Sequence, residues 1–80
     1  KYKVVFYNDD FTPMDLVTLI LMEVFNKGTQ EAYNIMMRVH KKGKAIAGTY
    51  SKQIAETKIS TTKMYATQMG YPLHAEAEPE

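Results

Sequence analysis

The sequence has no cysteine, only four glycines and three prolines, and a formal net charge of just +1 over its 80 residues. Without cysteine there is neither a disulfide framework nor a thiolate zinc site, which fits a reducing compartment. A balance this close to neutral predicts no strong general attraction to nucleic acid or to an acidic membrane. Long hydrophobic runs are missing as well. The longest apolar stretch, Leu16 to Phe25, is interrupted by Thr18 and Glu23 and is too short to cross a bilayer. No signal peptide is visible, and a first residue Lys1 in place of methionine suggests a trimmed or incomplete chain. Repeats, low-complexity tracts and linkers are absent too, so residues 1–80 are expected to form one small domain without a large buried cleft.

What is present is a dense polar run, Asn8-Asp9-Asp10-Phe11-Thr12-Pro13-Met14, between a strand-like and a helix-like segment. Tyr2 to Tyr7 is β-branched or aromatic except for Lys3, which reads as a strand. Thr12 before Pro13, with Asp15 three positions after the threonine, reads as a helix start: a hydroxyl cap, a preset φ and an acid at the positive end. Asn8, Asp9 and Asp10 exceed what a simple connection needs. They form either an elaborate Asx turn or a binding loop.

Helix spacing of Val17, Ile20, Leu21 and Val24 predicts a first helix from Pro13 to about Phe25, the most buried of three. Asn26-Lys27-Gly28 closes it with a glycine suited to a left-handed conformation, and Thr29 is expected to cap a second helix through about His40. In that helix Ala32, Ile35, Met36 and Val39 form one stripe, with His40 a turn beyond Met36. Lys41 to Lys44 reads as an exposed turn, Ala45 to Tyr50 as a short strand, and Ser51 as the cap of a third helix. Ala55, Ile59, Thr62, Ala66 and Met69 recur at helical spacing before Gly70 and Pro72, and alternation from Leu73 to Ala77 predicts a last strand. The expected fold is α+β, a small three-stranded antiparallel sheet with three helices, ordered β-α-α-β-α-β, the helices covering one face.

Enzymatic readings find little support. Asp9 and Asp10 are adjacent and point apart in an extended segment, unlike an acid–base pair brought together from separate positions. His40 and His74 make no recognisable metal motif, and no glycine-rich phosphate loop follows the first strand. No metal or other cofactor is expected. Arg38 to Lys44 is a modest basic cluster that offers an alternative: a small α/β module binding nucleic acid or another protein. A solvated turn explains the same residues, because aromatic side chains are not interleaved there.

Taken in order, Asn8 to Met14, Met36-Met37-Arg38-Val39-His40, Gly43-Lys44-Ala45 and Ile54-Ala55-Glu56-Thr57-Lys58 closely resemble the ClpS adaptors of AAA+ proteases. The resemblance covers nearly the whole chain. It implies a non-enzymatic adaptor that binds a bulky apolar or aromatic N-terminal residue (Phe, Leu, Tyr or Trp) of an N-degron protein. Delivery would be to the N-terminal domain of a ClpA- or ClpC-type unfoldase. The resemblance also implies a monomer without nucleic-acid or membrane partners, placed in the bacterial cytoplasm or, in a plant, the chloroplast stroma.

By the same resemblance the α-amino group of the ligand meets Asn8, Asp9 and His40, with Asp10 on the polar rim. Its side chain enters a pocket of Thr12, Met14, Val17, Met36, Val39 and Leu73. Lys58, with Gln53 and Glu56, falls on the unfoldase-binding face, although glutamine stands at position 53 where a glutamate is common. The residue types suit this task. A protonated amine needs acceptors and a nearby anion, a neutral imidazole can accept from it, and flexible methionine walls adapt to several apolar shapes.

Overall fold

The β-branched and aromatic run Tyr2–Tyr7 forms the central strand β1 in a computed structural model describing residues 1–80. After it come helices α1 (Met14–Glu23) and α2 (Thr29–Lys42), strand β2 (Lys44–Tyr50), helix α3 (Lys52–Gln68) and strand β3 (His74–Pro79). The sheet is antiparallel throughout, in the order β2-β1-β3. The expected α+β order is therefore the observed one.

Alternation sorts β1 between two environments. Val4 and Phe6 join Ala45 and Ala47 of β2, Ala75 of β3 and the apolar faces of the helices in one core. Lys3, Val5 and Tyr7 face the other way, opposite Glu78, Glu76 and His74 of β3, and none of these six belongs to that core. Helix α1 is the most deeply set: four of its ten residues, Leu16, Val17, Ile20 and Leu21, are buried.

Several boundaries depart from expectation. Helix α1 starts at Met14 and ends at Glu23, with Pro13 as its N-cap and no side-chain cap, because Thr12 is used elsewhere. The left-handed residue after it is Asn26 at φ 55°, whereas Gly28 lies at φ −69° as the N-cap of α2. Thr29 is consequently the first helical residue and not the cap. Lys41 and Lys42 belong to α2, which stops only where Gly43 turns left-handed at φ 90°. Ser51 does cap α3, its hydroxyl oxygen accepting from the Ile54 N–H at 3.3 Å. On α3 the buried stripe is Ala55, Thr62 and Ala66; Ile59 is half-buried, and Met69, past the helix end, is exposed.

Candidate functional site

Asp9 organises the polar loop. Its Oδ1 accepts the backbone N–H groups of Phe11 at 2.8 Å and Thr12 at 2.7 Å, and its Oδ2 accepts the Thr12 hydroxyl at 2.8 Å. The threonine expected to cap α1 thus donates backwards to the aspartate. Partial burial pushes the Asp9 carboxyl up, but the two N–H donors and the hydroxyl together outweigh it and hold its pKa below the usual 3.8. The group stays ionised at neutral pH. Since a carboxylate offers about four lone-pair directions, one on Oδ2 remains free for a further donor.

Asn8 joins this loop to α2. Its backbone N–H donates to the Gly43 carbonyl at 2.9 Å, tying the end of β1 to the helix end that carries His40 three residues earlier. Asn8, Asp10 and His40 are exposed, while Thr12 is half-buried. Val17, Met36, Val39 and Leu73 come together in the buried core, at 3 to 7% exposure. Met14, the first residue of α1, is 45% exposed and stands outside that core.

The α3 residues behave differently. Lys58 is half-buried, its ammonium donating to the Val24 carbonyl at 2.8 Å and lying 5.6 Å from the Phe25 ring centroid and 5.3 Å from that of Tyr50. Sequence reasoning missed this function, for the partner lies 34 positions away. Gln53 and Glu56 are exposed. Lys58→Ala is expected to lower stability by about 1–2 kcal/mol, through loss of a charged hydrogen bond and cation–π packing. Urea denaturation would check it: an unchanged midpoint would leave Lys58 as a surface residue with no structural part.

The one surface cavity, about 290 Å³, lies away from the polar loop, where Lys3, Arg38 and Lys44 surround Val5 and Ile46 beside Glu78. The Arg38 to Lys44 charge run was legible in the sequence, but its meeting with Lys3 and Val5 depends on the sheet. No three His, Asp or Glu side chains gather to hold a metal ion, and no helix is long and apolar enough to cross a membrane.

The family model for the ATP-dependent Clp protease adaptor protein ClpS matches residues 1–76. The chain belongs to the ClpS family. It is 44% identical to the ATP-dependent Clp protease adapter protein ClpS of Desulforapulum autotrophicum, over 99% of this chain and 76% of that one. With its Deinococcus radiodurans counterpart it shares 46% identity, over 99% and 70% of the two chains. Among solved structures, Agrobacterium tumefaciens ClpS2 bound to L-phenylalaninamide superposes with a TM-score of 0.95 at 37% identity, covering 99% of this chain and 95% of that one. The ClpS relatives are thus named as adaptors, and one was solved with an amino-acid amide bound.

Proposed function

We propose that this ClpS-family chain is a non-catalytic adaptor that holds the first residue of a protein substrate and passes that substrate to a Clp unfoldase. The ligand of the Agrobacterium relative supports this reading most directly. L-Phenylalaninamide has a free α-amine and an amide in place of its carboxyl, so it stands for the first residue of a polypeptide. The free lone pair on Asp9 suits that amine, with Asn8, His40 and Asp10 proposed as the further polar groups that meet it. Thr12, Met14, Val17, Met36, Val39 and Leu73 suit a Phe, Leu, Tyr or Trp side chain. The last four of these residues are already buried in the core, so entry depends on the flexible thioethers of Met14 and Met36 moving aside.

Magnitudes are consistent with useful binding. Burying one large apolar side chain contributes roughly 1.5–3 kcal/mol, and each charge-assisted hydrogen bond about the same. Three such bonds and one side chain reach the ~8 kcal/mol of a micromolar complex. The unfoldase would be of the ClpA or ClpC type, its N-terminal domain meeting α3 near Gln53, Glu56 and Lys58, in the bacterial cytoplasm.

Peptides beginning with Phe, Leu or Tyr are accordingly expected to bind at micromolar concentration or below, and acetylation of their α-amine is expected to weaken binding by about 100-fold or more. Fluorescence anisotropy with matched free and acetylated peptides tests this, and equal affinities would refute amine recognition.

A further inference from the structure

The sheet face opposite the core carries a hollow that peptide-amine binding does not use. Its floor is aliphatic: Ile46 is 45% exposed, and Val5, though outside the main core, is 4% exposed. Around that floor stand Lys3, Arg38 and Lys44, none of which forms an ion pair; the salt bridges of the molecule are Lys27–Glu31 and His74–Glu76. The single carboxylate at the rim, Glu78, accepts the Tyr7 hydroxyl at 2.5 Å. Three cations and one anion line the hollow, while Glu76, opposite Val5 on the same face, is bonded to His74. The site is also separate from the proposed amine-binding loop, because Arg38 and His40 are two residues apart on α2 and so point about 160° apart around its axis.

We infer that this hollow docks an acidic, extended segment of a partner protein, with one apolar side chain seated on Val5 and Ile46 and flanking carboxylates on Arg38, Lys3 and Lys44. Charge complementarity selects the occupant: three unpaired cations around one hollow repel each other, and carboxylates relieve that repulsion. Arg38 supplies the planar fork suited to bidentate carboxylate binding. Strand β2 is an edge of the sheet, where an extended backbone can lie alongside it. Nucleic acid fits less well, since an aliphatic floor offers no ring for a base to stack on.

The test is anisotropy with a labelled Asp-Leu-Asp-Glu peptide blocked at both ends, at about 20 mM salt where surface charge is least screened. Saturable binding is expected with a Kd below about 1 mM, about tenfold weaker for Arg38→Glu and about threefold weaker for Ile46→Ser. Lys63→Glu, an exposed site on α3 with the same charge change, should bind as the parent does. Melting temperature and phenylalaninamide affinity of each variant confirm that fold and amine site are intact. The proposal is overturned by absence of binding, by equal binding of a Gly-for-Leu peptide, or by equal weakening from Lys63→Glu. Displacement by phenylalaninamide, or tighter binding of a single-stranded oligonucleotide of equal charge, overturns it as well.

Discussion

Asp9→Ala is expected to weaken binding of a Phe-starting peptide by about tenfold or more and to lower stability by about 1–2 kcal/mol. The double effect follows from the double use of this carboxylate, which holds Phe11 and Thr12 while keeping one acceptor position open. Asp9→Asn separates the two. An asparagine oxygen can still close an Asx turn, so stability should be largely retained, whereas the ammonium loses its anion and affinity should fall. Parent-like affinity in Asp9→Asn would show that the charge is not needed. The stability part also has a pH signature. Because the folded-state pKa lies below 3.8, the contribution is complete above that value and is lost as pH falls through the folded pKa. The stability gap between the parent and Asp9→Ala should therefore be constant near neutrality and close as the pH falls through the lowered folded-state pKa.

Met14→Ala is expected to raise affinity for Val- and Ile-starting peptides by about tenfold, with smaller changes for Phe and Leu. A β-branched ligand carries bulk close to its anchored amine and cannot rotate it away, so a side chain at the pocket mouth discriminates by clash. At 45% exposure and outside the core, Met14 is not a residue whose truncation would cost several kcal/mol. The melting temperature should hardly move. An unchanged Val-to-Leu affinity ratio would remove Met14 from selectivity.

The contrast between these two residues marks what the sequence could and could not reveal. Apolar spacing located all three helices and the stripe of Met36 and Val39, because burial imposes its period on the chain. Ser51 was readable as a cap since that hydrogen bond closes within three residues. Thr12 was misread because two local acceptor–donor arrangements compete there, and Asp9, three residues upstream, takes the hydroxyl. The left-handed residue fell to Asn26 instead of Gly28 for a similar reason: both types tolerate positive φ, and only the path of the chain chooses. Lys58 was legible as a position of interest but not as the donor to Val24, and the hollow beside Lys3 could not be inferred at all. Both depend on elements distant in sequence.

The irregularity in the β1–β2 ladder bears on how this chain tolerates insertions and deletions. Val4 pairs with Gly48 and Val5 with Ile46, so Ala47 is the extra residue of a bulge, and pairing resumes through to Tyr7 opposite Lys44. That last pair immediately precedes the bond between Asn8 and Gly43. Seven residues of β2 face six of β1, so the loss of one is absorbed by closing the bulge, whereas the loss of a second leaves two ways to rejoin the strands. If the Tyr50 end keeps its place, Gly43 and the helix end bearing His40 are drawn about 3.3 Å along the sheet and out of step with Asn8. If the Lys44 end keeps its place, Tyr50 turns to the opposite face and Lys58 loses the nearer of its two rings. The length of β2 is thus a shared constraint, set by the loop at one end and by the α3 contact at the other.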